Sequence, residues 1–125
     1  MADNLAYADA LIAAYNAQDF AKMEAQIAAD VDFAHFNRNF VLTSRDELLG
    51  VLRQFASDCI PDRQFEAPER VFAVGDTVVR IGWYVGTCAV DLEGFGKAGE
   101  AFRLKFCSVF RFDDAGVIIA WNDFG

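Results

Sequence analysis

Histidine is nearly absent from this chain: His35 is the only one in 125 residues. Proline is almost as rare, with Pro61 and Pro68 alone. The cysteines are Cys59, Cys88 and Cys107, an odd set, far apart, with no CxxC spacing. One histidine and three scattered thiols exclude an ordinary zinc site built on Cys and His. The thiols read as buried groups in a reducing compartment. Positive charge is also scarce: 11 Lys and Arg stand against 19 Asp and Glu, a net charge of −8. Such a chain repels phosphate backbones, and no basic stripe lies on an aromatic sheet face, so nucleic acid is a poor partner. No apolar run reaches the roughly 18 residues of a membrane span, which argues against a membrane partner. Met1-Ala2-Asp3-Asn4 carries no basic region ahead of an apolar stretch, so no signal peptide is expected and the cytoplasm is the expected location.

What the chain does have is apolar bulk. Hydrophobic residues make up 54%, which argues against disorder. The length suits one domain, residues 1–125, with one core. Thirteen phenylalanines are many for this length. Either they fill the core or some line a cavity that the core leaves open; composition by itself favours the core.

The strongest pattern lies at the C-terminal end. Phe102, Leu104, Phe106, Phe110 and Phe112 alternate with Arg103, Lys105 and Arg111, with Ser108 on the apolar face. Period-two alternation of this length marks a half-buried strand. Asp113-Asp114-Ala115-Gly116 supplies turn chemistry, and residues 117–124 form an almost wholly apolar partner strand, expected to be covered on both faces. That strand ends in Trp121-Asn122-Asp123, so a carboxylate closes a buried strand.

Upstream, Leu5, Ala8, Leu11, Ile12 and Tyr15 form a helical stripe over residues 5–18. Asp19 is placed to cap a short second helix carrying Phe20, Met23 and Ile27. Residues 31–36 read as a strand with Phe33 and His35 on one face, followed by a polar turn at Asn37-Arg38-Asn39. Ser44-Arg45-Asp46-Glu47 is a capping box for a third helix, which Pro61 ends. Val74-Gly75-Asp76-Thr77 suits a two-residue hairpin. Residues 77–90 then form a long strand with Arg80, Gly82, Tyr84 and Gly86 on one face. Two glycines on that face predict a sharp bend, or room for something else. Residues 91–100, with Gly94, Gly96 and Gly99, read as a loop. Helices first and a strand meander later predict an α+β domain with helices on one face of an antiparallel sheet.

The segments ALIAAYNAQDF, TSRDELLGVLRQF and FRFDDAGVIIAWNDF, in this order and at this length, resemble the SnoaL-like group of the NTF2-like superfamily. That group includes polyketide cyclases, steroid isomerases and limonene-epoxide-hydrolase-like enzymes. The resemblance implies a cone in which a strongly curved mixed or antiparallel sheet wraps three N-terminal helices around an apolar pocket. It also implies a homodimer through the outer sheet face and a small apolar ligand. It places Asp123 where such enzymes often hold a pocket carboxylate, and Phe33 and His35 where they hold pocket-lining side chains. The epoxide-hydrolase type needs an Arg-x-Asp pair on the long middle strand; Gly82-Trp83-Tyr84 stands there instead. The isomerase type needs a base near the first strand's exit and a Tyr–acid oxyanion hole, for which Asp32 and Tyr84 are loose stand-ins.

On this reading His35 and Asp123 are the candidate catalytic residues. Asp123 would fix the imidazole tautomer and leave the other nitrogen as a base for enolisation or ring closure. Tyr15 and Tyr84 are candidate hydrogen-bond donors to an oxyanion, and Phe33 and Trp121 candidate pocket walls. No metal and no cofactor is required. The alternatives of the same fold are a non-catalytic binder of a small apolar ligand and a dimerisation module.

Overall fold

The computed structural model describes residues 3–125. Helix α1 (Asn4–Asn16) starts where the Asp3 carboxylate accepts from the Ala6 N–H. It buries Ala8, Leu11, Ile12 and Tyr15 of the stripe its spacing predicts, whereas Leu5 in its first turn is exposed. It ends two residues earlier than expected, because Gln18 adopts a left-handed conformation (φ 57°). The Asp19 side chain accepts from the Lys22 N–H and starts α2 (Phe20–Gln26). Ile27 then opens strand β1 (Ile27–His35) and does not close the helix, and Phe36 falls in a single 3-10 turn, Phe36–Arg38. A short strand β2 (Phe40–Leu42) follows.

Helix α3 (Arg45–Gln54) begins at the Ser44 cap. It runs into one wide turn, Phe55–Cys59, closed by the Ile60 N–H on the Phe55 carbonyl at 2.7 Å. The remaining strands are β3 (Gln64–Phe65), β4 (Arg70–Val74), β5 (Thr77–Thr87), β6 (Ala101–Phe112) and β7 (Ile118–Phe124). Val74 and Thr77 pair across the predicted Gly75-Asp76 turn, with Gly75 at φ 60°. At the β6–β7 turn the Asp113 carboxylate accepts from the Ala115 and Val117 N–H groups, and Gly116 takes φ 83°.

The strand order is β2-β1-β7-β6-β5-β3, with β4 also paired to β5. The sheet is curved, unclosed and mixed. It departs from the antiparallel meander at one seam, where β1 lies parallel to β7. This seam explains why β7 is apolar nearly throughout: it has a strand on each side and helices over its inner face.

Alternation along β5 and β6 turns Val78, Arg80, Tyr84, Phe102, Phe106, Ser108 and Phe110 inward. The outward basic residues are not a free stripe. Arg103 pairs with Glu66, Lys105 with Glu69 and Arg111 with Asp76. Of the three cysteines only Cys88 is buried; Cys59 and Cys107 are half-buried.

The glycines on the inner face of β5 hold no vacant space. A Cβ on Gly82 would lie 3.0 Å from the Arg80 guanidinium. A Cβ on Gly86 would overlap Ile60 and press on Phe102 at 3.1 Å. The room predicted there is already filled by this chain's own side chains. Gly86→Ala is therefore expected to destabilise the fold by about 1–3 kcal/mol through overpacking. Gly50→Ala, inside α3 with nothing within 4 Å, is expected to stabilise it by about 0.5–1 kcal/mol. Urea unfolding of the two variants checks both signs.

Candidate functional site

Strand registers place polar and apolar residues in separate rows across the inner face. One row is Phe33 on β1, Trp121 on β7, Phe110 on β6 and Val78 on β5. The next row is His35, Asp123, Ser108 and Arg80. The parallel seam creates this arrangement, because partnered residues on parallel neighbours point to the same face.

A cavity of about 200 Å³ lies between these rows and the helices. All six candidate side chains line it: Tyr15 from α1, Phe33 and His35 from β1, Tyr84 from β5, and Trp121 and Asp123 from β7. Helix α3 contributes Leu48, Val51 and Leu52, and the 88–100 loop contributes Leu92, Glu93 and Phe95. Of the thirteen phenylalanines, six wall the cavity, Phe33, Phe40, Phe55, Phe65, Phe95 and Phe106, whereas Phe110 and Phe112 are core. Asp32 is exposed, as its position between Val31 and Phe33 requires, and takes no part.

Asp123 is 3% exposed, so it is not a surface carboxylate. It accepts from the Trp121 indole N–H at 3.0 Å and forms a side-chain hydrogen bond with Ser108. Burial raises its pKa from 3.8 to about 6. The Ser108 and Trp121 bonds and the charges of Arg38 and Arg80 partly offset that rise.

His35 sits beside Asp123 in register, yet no hydrogen bond joins them among the described residues. The imidazole Nε2 instead faces the Arg38 guanidinium at 3.5 Å, and Nδ1 is buried with no partner. A guanidinium can only donate, so Nε2 accepts and the proton sits on Nδ1. Arg38, not Asp123, fixes the tautomer. Burial, then the Arg38 charge, lowers the His35 pKa from 6.5 to about 4. At neutral pH His35 is a neutral hydrogen-bond donor.

Tyr15 and Tyr84 share a hydrogen bond between their hydroxyls at 2.8 Å. Burial pushes the Tyr15 hydroxyl up to about 12 and raises Tyr84 as well. Each has one hydroxyl proton. One serves the pair and the other is free to point at an acceptor.

Among the arginines, sequence reasoning missed Arg63 and, between a turn and the pocket mouth for Arg38, favoured the turn; Arg38 does belong to the 3-10 turn. Its guanidinium also lies 4.3 Å from the Phe95 ring centre and donates to the Gly94 and Gly125 main-chain oxygens. Arg63 is 1% exposed, 3.9 Å above the Tyr15 ring, and donates to the Tyr15 carbonyl at 3.0 Å. Arg80 alone had a legible signal: it shares the inward face of β5 with Tyr84, and Gly82 beside it makes room for a guanidinium.

Residues 8–121 match the model of the SnoaL-like domain, and the chain belongs to that family. It is similar in structure to a Xanthomonas campestris protein provisionally assigned as a polyketide cyclase. The TM-score is 0.82 at 21% identity, over 98% of this chain and 89% of that one. It is similar also to an NTF2-like protein of unknown function from Burkholderia pseudomallei (TM-score 0.79, 22% identity, 98% and 90% covered). A third similar structure is a limonene-epoxide-hydrolase-like (LEH-like) epoxide hydrolase from M. tuberculosis (0.76, 19%, 97% and 80%). At these identities the likeness establishes the cone fold. Among proteins with curated descriptions, none matches the chain.

The two titratable neighbours act on stability with opposite sign. The unfolded chain protonates His35 near 6.5 and the fold only near 4, so its contribution is full above 6.5 and lost as pH falls toward 4. The fold protonates Asp123 near 6 and the unfolded chain only near 3.8. Its contribution is full below 3.8 and lost as pH rises through 6. The raised pKa of Asp123 corresponds to a cost on the order of 3 kcal/mol at neutral pH. Asp123→Asn is expected to raise the unfolding free energy at pH 7 and to lose stability on acidification from pH 6.5 to 4. His35→Gln is expected to gain stability over the same range. Urea unfolding at pH 4.5 and 7 reads both slopes.

Proposed function

We propose that the cavity binds a small apolar, carbonyl-bearing or polycyclic molecule and that the protein acts on it as a cofactor-independent acid–base catalyst of the cyclase or isomerase type. The observation that carries this reading is Asp123, a buried carboxylate on the wall of an otherwise largely apolar cavity, with a pKa near 6. A base with a pKa close to the working pH combines a large ionised fraction with useful proton affinity. In this reading Asp123 takes a proton from the carbon next to a carbonyl, and the electron pair moves to the carbonyl oxygen. His35 Nδ1–H and the free hydroxyl proton of the Tyr15–Tyr84 pair stabilise that oxygen. Phe33 and Trp121 hold the ring system. The role of base moves from His35, as the sequence suggests, to Asp123, because Arg38 already occupies the imidazole nitrogen that would accept a proton.

The absence of an Arg-x-Asp pair at Gly82-Trp83-Tyr84 speaks against epoxide opening by the hydrolase arrangement. The family resemblance supports a homodimer through the outer sheet face. Exposed Phe72 and Val74 on β4, partnered with the outward Val79 and Thr77, give that face its apolar part. Light scattering at micromolar concentration is expected to give twice the 13.9 kDa chain mass; a monomer mass contradicts the dimer.

The catalytic test uses 2-tetralone in deuterated water, with exchange of its α-protons followed by NMR. The protein is expected to accelerate exchange, with a rate that rises with pH through about 6 and then levels, since the base is the ionised form. Asp123→Asn is expected to lower the rate at least ~100-fold, in the range found for loss of a general base. Binding of the ketone without exchange would leave the non-catalytic binder as the reading of this cavity.

A further inference from the structure

Arg63 is the most deeply buried charged side chain among the described residues, 1% exposed. The Asn16 side chain fixes the segment that follows it, donating to the Phe65 carbonyl at 2.9 Å and accepting from the Phe65 N–H at 2.8 Å. The guanidinium donates to the Tyr15 carbonyl in the last turn of α1, where the helix dipole favours a cation. Capping that helix uses one N–H group. Nε and Nη2 are buried without a hydrogen-bond partner, and Arg63 belongs to none of the five salt bridges among the described residues. A buried cation so poorly compensated is costly. What distinguishes Arg63 from a simple cap is this uncompensated positive charge.

The charge stands beside the hydroxyl pair of the cavity wall. The guanidinium carbon lies over the face of the Tyr15 ring, 3.9 Å from its centre, and the Tyr15 and Tyr84 hydroxyls are 2.8 Å apart. The Tyr15 oxygen is thereby within the roughly 4–6 Å over which a charge acts strongly on an ionisable group. An O–H dipole beside a cation turns its positive end away, so Tyr15 is the better donor of the pair and the poorer acceptor. Burial raises both hydroxyls, Tyr15 to about 12 and Tyr84 further, and the Arg63 charge opposes the rise in both. Between two phenols, the more acidic one donates to the less acidic one. Tyr84 also lies toward His35: its ring stacks on Phe106 with centres 5.2 Å apart, and the imidazole meets the same Phe106 ring edge-on at 4.9 Å. The other charges facing the pair are Asp123, which raises both hydroxyls, and Arg38, on the Tyr84 side.

We infer that Arg63 orders the two hydroxyls in one direction: Tyr15 donates to Tyr84, and the Tyr84 proton is the one that reaches the carbonyl oxygen of the ligand. Tyr84 is then a catalytic residue, and Arg63 is a positioning residue that acts through Tyr15. Successive hydrogen bonds polarise one another, so the charge strengthens the last bond of the chain as well as the first. This rests on the reading of the cavity as a site for a carbonyl compound and assigns the hydroxyl donor that reading leaves open.

The test uses 2-tetralone carrying carbon-13 at its carbonyl, bound to the protein and to four variants at pH 7.5. A carbonyl carbon resonates further downfield the more strongly its oxygen is hydrogen-bonded, so the signal reads the donors whether or not the ketone reacts. Tyr84→Phe is expected to move the bound signal furthest upfield and to lower the rate of α-proton exchange about 100-fold, the range found for loss of an oxyanion donor. Tyr15→Phe is expected to keep most of the downfield position, because Tyr84 still donates. Arg63→Gln keeps a donor for the Tyr15 carbonyl and loses the charge; it is expected to move the signal part of the way upfield, and Arg63→Lys to restore it. A larger upfield move in Tyr15→Phe than in Tyr84→Phe overturns the assigned direction, and this comparison decides alone if Arg63→Gln does not fold. A signal unmoved by a folded Arg63→Gln reduces Arg63 to a helix cap and overturns its positioning role. The expected signals without proton exchange support the inference and overturn the proposed catalysis. A ketone that does not bind overturns both.

Discussion

The in-register parallel pairing of β1 with β7 is the constraint on which the interior depends. It lays Phe33 beside Trp121 and His35 beside Asp123, two residues further on. The antiparallel strands β6 and β5 extend both rows, so one row becomes aromatic and aliphatic and the next becomes polar. Side chains have a period of two along a strand, so a one-residue slip of β1 would turn Phe33 and His35 outward and bring Asp32 in. Such a slip would bury Asp32 and expose Phe33, and that penalty fixes the register. The geometry of the cavity follows from strand pairing more than from any single side chain.

The polar row is costly to bury and gives little back to stability. Asp123 is held by an indole and a serine hydroxyl but has no cation in contact. His35 is held neutral by burial and by a neighbouring guanidinium. A core of the same volume built from leucine and valine would carry none of these costs. The chain retains them in adjacent positions around a cavity, where local rules of stability are broken together, and such places are where function is expected.

Much of this fold was legible in the sequence, because its signals are local. The caps at Asp19 and Ser44, the hairpin turn at Gly75-Asp76 and the alternation along β5 and β6 each act over a few residues. The six candidate site residues were legible from the family resemblance together with face assignments along single strands. What the sequence could not disclose lies between distant segments. The parallel seam joins residues more than eighty positions apart, and no local pattern marks it. Arg38 reads as a solvated turn residue until the 88–100 loop and the chain's last residue are seen to accept its hydrogen bonds. Arg63 follows Pro61-Asp62 in what reads as an ordinary connection; its burial depends on Tyr15, nearly fifty residues earlier. The glycines of β5 were read correctly as a special feature of the inner face. The space they leave belongs to Arg80 and Ile60 and not to a ligand.

The wide turn at Phe55–Cys59 has a consequence for how this chain tolerates change in length. A helix whose hydrogen bonds close over five residues instead of four behaves as an ordinary helix with one extra residue accommodated in place. Because the wide turn absorbs that residue locally, deleting it would let the segment relax to regular α-helix with little change in the course of the chain beyond. A deletion in the regular part of α3 has no such absorber: it turns all that follows by ~100°. Ile60 would then swing away from Gly86, and the slot that the glycine keeps open would be left empty.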